Sequence, residues 1–310
     1  MIGRGAYAIS LALVSAVSLA CKDDAARVDA GTPTDAAPHD DAGGPDATPD
    51  DAGPRPPPPV VCPRENARPV TGDSNGDGVV DVADAVALLD HVFRGGRQPA
   101  CVAAADFNGD GRVEADDATR IHSLLIAGTQ GVRTLMQRAC DDMTPWPAGR
   151  CAPLAWDLAA PARTTEARFS VEIAVRSSTL ALDGWSLSVT AGGCAVATAT
   201  LTGTPSAQVW DQPPGLRRMG YAAVRPVDGG AIGYVLLSHH LDISLPAAER
   251  TPLMRLEVEA ARPASGCASC TLSIDSERRW EGRPVAAVLA SGGRSYTPAP
   301  ASVTVEVCAP

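Results

Sequence analysis

Two short stretches of the 310-residue chain carry oxygen-bearing side chains at alternate positions. They are Asp73-Ser74-Asn75-Gly76-Asp77-Gly78 and Asp106-Phe107-Asn108-Gly109-Asp110-Gly111, with first residues 33 apart. Carboxylates and amides at every second position place several hard oxygen ligands inside one tight loop. That chemistry suits calcium, which takes about six to eight oxygens. Magnesium competes less well, because it keeps several waters and seldom uses an all-protein cage.

Each stretch opens a segment that matches the EF-hand calcium loop of about 12 residues. In the first loop the side-chain ligands would be Asp73, Asn75, Asp77, Asp81 and Asp84, with the carbonyl of Val79. In the second they would be Asp106, Asn108, Asp110, Glu114 and Asp117, with the carbonyl of Arg112. Asp81 and Glu114 hold the ninth position, which often binds through water. Gly78 and Gly111 hold the sixth, where a sharp turn favours a residue without Cβ. Asp84 and Asp117 close the loops, where an ordinary EF-hand has Glu.

After each loop, apolar residues recur at helical spacing, in Ala85-Val86-Ala87-Leu88-Leu89 and in Ala118-Thr119-Arg120-Ile121 and its continuation. Asp84 and Asp117 then lie near helix N-termini, where negative charge is favoured. Upstream, Arg68-Pro69-Val70-Thr71-Gly72 and Pro99-Ala100-Cys101-Val102-Ala103 give no good entering helix. The unit is a loop followed by a helix, used twice. An Asp/Gly-rich turn that binds nothing is the plain alternative. Repetition of the acidic closing residue and of the helix argues against it.

This arrangement resembles the dockerin family over about Thr71 to Gly128. The resemblance implies calcium-dependent folding and docking onto a cohesin-type β-sandwich. In that family the contact is made by residues at the end of each loop and along each helix. Here those places hold Val82-Ala83 and Ala115-Asp116, where cellulosomal dockerins have a Ser-Thr pair.

The N-terminus reads as an export signal, with Arg4 ahead of an apolar run from Ala6 to Ala20 that is too short to span a bilayer comfortably. Ser18-Leu19-Ala20-Cys21 reads two ways. It is a small-residue cleavage site for ordinary secretion. It also resembles a bacterial lipobox, departing at Ser18, with Cys21 as the lipidated first residue. The nine cysteines are Cys21, Cys62, Cys101, Cys140, Cys151, Cys194, Cys267, Cys270 and Cys308. An odd count leaves one thiol over in an exported protein. Lipid on Cys21 would leave eight for four disulfides, which favours the lipoprotein.

From Lys22 to Val60, nine Asp and nine Pro face only Lys22, Arg27 and Arg55 as basic residues. Such a segment has almost nothing to bury and is expected to be a disordered spacer. The net charge of -10 makes nucleic acid an improbable partner. Cys62, Cys101, Cys140 and Cys151 flank the two repeats and would staple a thin-cored module. Cys267-Ala268-Ser269-Cys270 has neither the βαβ setting of a redox motif nor a second CxxC for zinc. Structural disulfides, with Cys194 and Cys308 as candidate partners, are the better reading.

Beyond Ala152, nine short β-rich runs alternate with Gly, Pro and Asp breaks. Phe169, Val171, Ile173 and Val175 share one face, as do Trp185, Leu187 and Val189, and Met254, Leu256 and Val258. The pattern predicts an antiparallel β-sandwich. Leu182-Asp183-Gly184-Trp185-Ser186-Leu187 resembles the opening of cohesin-like surface sandwiches; Trp185 itself reads as a core or edge aromatic. No nucleophile elbow, His-Glu-x-x-His zinc motif or phosphate-cradling Gly loop is present. Asp183, Asp211, Asp228, Asp242 and Glu257 are acidic but unpaired by spacing, and His239-His240 point to opposite faces of a strand.

The expectation is a multidomain α+β protein. A signal peptide (1–20) and a disordered linker (21–60) precede a small all-α dockerin-like calcium module with disulfides (61–151) and a C-terminal antiparallel β-sandwich (152–310). It would be a calcium-binding, non-enzymatic docking or adhesion protein with two Ca2+ sites. It would be exported, anchored at the cell surface or outer membrane by lipid on Cys21, or else secreted. The partner would be a cohesin-like domain or a polysaccharide. The alternative is an exported polysaccharide-binding or polysaccharide-degrading protein; a further possibility is docking of the module onto the sandwich of another copy.

Overall fold

The computed structural model describes residues 56–127, 140, 143–176, 179–207, 221–237, 243–275, 279–280 and 283–310. The export signal, Cys21, most of the acidic linker, Asp211, His239, His240 and Asp242 lie outside these residues. Pro49–Pro310 form one compact unit. Strand β1 (Val60–Val61) leads to helices α1 (Val82–Arg94), α2 (Val102–Ala105) and α3 (Ala115–Ala127). There follow β2 (Ala152–Pro153), β3 (Ala155–Ala159), β4 (Arg163–Thr164), β5 (Arg168–Arg176), β6 (Gly184–Gly192), β7 (Ala195–Thr200), β8 (Tyr221–Val227) and β9 (Gly230–Leu236). The chain ends with β10 (Arg250–Glu259), β11 (Cys267–Asp275), β12 (Arg279–Trp280), β13 (Arg283–Pro284), β14 (Val288–Ser291), β15 (Arg294–Tyr296) and β16 (Ala301–Cys308).

Two sheets face each other. One has the order β3-β5-β10-β7. The other is built around β6, which pairs with β9 along one edge and with β14 and then β11 along the other. The three alternating faces expected from the sequence meet between the sheets, and Val171, Ile173, Trp185, Leu187, Met254 and Leu256 are all buried there. Trp185 is a core residue whose indole Nε1 donates to Ser206 Oγ at 3.0 Å, so its polar atom is satisfied. Disulfides Cys194–Cys270 and Cys267–Cys308 staple this half, so the two cysteines of the CxxC take different partners. Cys62–Cys151 and Cys101–Cys140 close the helical half.

Helix α1 starts where the sequence places it. Asp81 caps it by accepting from Ala83 N, while Asp84 accepts from the Asp81 backbone N–H, a reciprocal capping box. Gly95, at φ 63°, ends it in a left-handed cap. A short entering helix, α2, precedes the second loop, which departs from the helix-free entry expected there. Its N-terminus is held by Cys101, whose sulfur accepts from Ala104 N.

The helical half does not stand apart. Val82, Val86, Leu88 and Leu89 of α1 form one buried cluster with Tyr234, Leu236, Val288 and Ala290 on the outer face of the β6 sheet. Gly184 of β6 permits this approach, since a Cβ there would meet Val82 Cγ2 at 3.1 Å and Val86 Cγ2 at 3.5 Å. Helix α3 joins through His122, whose ring lies edge-on to Tyr221 and Tyr234 with centroids 3.7 and 5.3 Å away. Burial holds the His122 imidazole down at about 4, so it is neutral at pH 7.

Leu88→Ala in the seam and Trp185→Ala in the sandwich should each cost about 2–5 kcal/mol. Calorimetry of the calcium-loaded protein should show both variants lowering the same single transition. Two transitions, each moved by only one variant, would mean that the halves fold independently.

Candidate metal centre

The two loops are built alike at the level of individual hydrogen bonds. Asp73 Oδ1 accepts from Gly76 N at 2.7 Å and Asp77 N at 3.1 Å, and Oδ2 from Gly78 N at 2.8 Å. Asp106 repeats this with Gly109 N at 2.8 Å, Asp110 N at 3.1 Å and Gly111 N at 3.0 Å. Asn75 and Asn108 accept from Asp77 N and Asp110 N, and the carboxylates of Asp77 and Asp110 in turn accept from Val79 N and Arg112 N. Asp84 accepts from Ser74 N, Asn75 N and Asp81 N; Asp117 accepts from Asn108 N and Glu114 N. The turn at the sixth position needs φ of 83° at Gly78 and 88° at Gly111, a region where a Cβ is strained.

The surroundings of the loops differ. Asp73, Asn75, Asp77, Asp81 and Asp84 are all buried, whereas Asp110 and Arg112 are exposed, Asp106, Asn108 and Glu114 are half-buried and only Asp117 is buried. Asn75 Nδ2 donates to Gly293 O at 3.1 Å, and Ser295 Oγ donates to Asp81 Oδ1 at 3.0 Å. Arg64 Nη1 donates to Asp81 Oδ2 at 2.6 Å and lies 4.0 Å from Asp77 Oδ2. At the matching place in the second loop, Asn108 Nδ2 donates instead to exposed Asp110 and Asp116, and Arg120 pairs with Asp116. Sequence reasoning did not find Arg64 or Ser295. The Gly292-Gly293 pair was a usable signal for the hairpin that carries Ser295, since both residues take the positive φ (54° and 71°) of a two-residue β-hairpin turn. Asp183, one of the acidic residues unpaired by spacing in the sequence, accepts from Gly292 N at 2.7 Å and holds that turn.

The first loop concentrates charge away from water. Burial, then the charge of Asp77, pushes the Asp73 carboxyl up to about 6. Burial, then the charge of Asp77, does the same for Asp81, to about 6, against the pull of Arg64. Burial, then Asp81, Asp73 and Asp77, raises Asp84 well above the ordinary carboxylate range. Burial also raises Asp117 in the second loop. Asp77 Oδ2 is buried without a hydrogen-bond partner. An all-oxygen set of carboxylates around such an atom fits a calcium ion.

Residues 71–126 match the Dockerin type I domain, so this segment is a dockerin-type module, of a family that binds calcium. No curated protein matches the chain. Among solved structures, the chain is similar to the sixth cohesin of scaffoldin B from Acetivibrio cellulolyticus, solved in complex with the Cel5 dockerin. That match has 10% identity and TM-score 0.35, covering 50% of this chain and 99% of that one. A type I cohesin–dockerin complex from Clostridium thermocellum gives 9% identity and TM-score 0.34, covering 51% and 98%. A type II cohesin domain from Acetivibrio cellulolyticus gives 8% identity and TM-score 0.33, covering 48% and 94%.

Carboxyls held near 6 in the fold, against 3.8 unfolded, keep their protons longer when folded. The metal-free fold is therefore helped by them below pH about 4 and loses that help as pH rises through about 6. Chelator-treated protein should melt progressively lower between pH 4 and pH 7, and calcium should restore most at pH 7. Thermal melts across that range, with and without calcium, check it; a metal-free stability that rises with pH would contradict the electrostatic picture.

Proposed function

We propose that the protein is an exported, non-catalytic calcium-binding docking protein with one Ca2+ in each loop. Asp73, Asn75, Asp77, Asp81, Asp84 and the Val79 carbonyl would hold the first ion. Asp106, Asn108, Asp110, Glu114, Asp117 and the Arg112 carbonyl would hold the second. Bound there, the cation supplies the charge that offsets carboxylate repulsion and orders the loop ahead of its helix. The observation that carries the reading is the repeated cage of hydrogen bonds, with Asp77 Oδ2 buried and without a hydrogen-bond partner in the more enclosed copy.

The docking role is supported by the dockerin type I match. A cohesin-type domain is the external partner that this match suggests. Surface anchoring by lipid on Cys21, with residues 21–60 as spacer, rests on the sequence. Among the described residues no helix is long and apolar enough to cross a membrane.

Calorimetric titration of the full exported chain should show two bound calcium ions. Asp73→Ala and Asp106→Ala should each remove one of them. A wild type that binds none, or variants that leave the stoichiometry at two, would overturn the assignment.

A further inference from the structure

The two loops share a sequence pattern but have different neighbours, and the difference lies at the seam between the halves. In the first loop, two residues with ligand oxygens also hold the sandwich. Asn75 uses its amide oxygen inside the loop, accepting from Asp77 N, and its amide nitrogen outside, donating to Gly293 O in the β14–β15 turn. Asp81 accepts from Ser295 Oγ of β15. Arg64, which pairs with Asp81, also donates its backbone N–H to Ser295 O at 3.1 Å. At the end of the loop and in the helix it starts, Val82 and Val86 enter the apolar seat formed with Tyr234, Leu236, Val288 and Ala290. The second loop has no such bond to the sheet among the described residues; its Asn108 amide turns to Asp110 and Asp116.

We propose that the first loop is a calcium-linked latch: the residues that would hold its ion also carry the polar contacts that seat the helical module on the outer face of the β6 sheet, so ion binding and seating are coupled. The second loop, whose helix meets the same seat through Ala118, Ile121 and His122 but with no polar bond to the sheet among the described residues, is coupled to it more weakly. The proposal rests on the calcium reading above. Its physical basis is linkage, in which a ligand shifts an equilibrium only by its differential affinity for the two states. With the module lifted, Asn75 and Asp81 lose Gly293 and Ser295, and the loop loses the packing that fixes its ligands. The ion then binds the seated state more tightly. At calcium about 100-fold above its dissociation constant for the seated state, lifting is suppressed by up to about 100-fold. A consequence for partner choice is that the α1 face belongs to the chain's own sheet while the first ion is bound.

Hydrogen exchange of the α1 amides in the full exported chain tests this directly. Wild type and Asp106→Ala should exchange more slowly in calcium than in chelator, by about tenfold or more. Asp73→Ala should lose most of that calcium effect. Val288→Asp attacks the seat from the sheet side without touching either loop. It should still bind two ions, but one of them about tenfold or more weaker, by the reciprocity of linkage. Equal loss of protection in Asp73→Ala and Asp106→Ala would overturn the latch, as would unchanged affinities in a Val288→Asp protein whose α1 exchanges fast. A wild type that binds two ions yet shows no calcium effect on α1 exchange would overturn the latch alone. A wild type that binds none would overturn both readings.

Discussion

Asp73, Asp77, Asp81 and Asp84 are forced into one enclosed loop, and the rest of the helical half is arranged around that constraint. Backbone N–H groups donate to six of the eight carboxylate oxygens of these residues, but dipoles offset only part of the mutual repulsion. Arg64 adds one positive charge at Asp81 and leaves Asp77 Oδ2 without a hydrogen-bond donor. A divalent cation is the natural complement of such a cluster, and calcium suits its oxygen-only chemistry. The loop geometry also starts α1, since Asp81 and Asp84 form the helix's capping box.

That coupling of loop to helix explains how a metal site reaches the sandwich. A capped helix presents Val82 and Val86 at a fixed angle to β6, and Gly184 removes the side chain that would hold it away. The outer face of the sheet, which could have faced solvent, therefore becomes a second buried face. Strand β9 is buried at every position for this reason. Its odd and even residues divide between two cores: Ala231 and Val235 face the sandwich interior, while Tyr234 and Leu236 face the helices.

Much of this was legible in the sequence. The loops and both helices followed from residue spacing, and the sandwich followed from period-two faces such as Phe169, Val171, Ile173 and Val175. The eight cysteines beyond Cys21 do form four disulfides, though their connectivity needed coordinates. The seam was not read, yet it left a trace. Gly230 to Leu237 is a continuous apolar run, which marks a strand covered on both faces. Nothing in the residue spacing ties Arg64 or Ser295 to the loop, because both reach it through tertiary contacts, Ser295 from more than 200 residues away. Helix α2 was missed because four residues carry too little periodicity to detect.

Calcium held by the first loop at the seam, with Asp77 and Asp81 turned to the ion, is the central proposal. Crystals grown in calcium and measured for anomalous scattering would address it most directly. One anomalous peak is expected in each loop, with the first bounded by Asp73, Asn75, Asp77, Asp81 and Asp84 beneath the β14–β15 turn. A peak in the second loop alone, with Arg64 occupying the carboxylate cluster of the first, would contradict it.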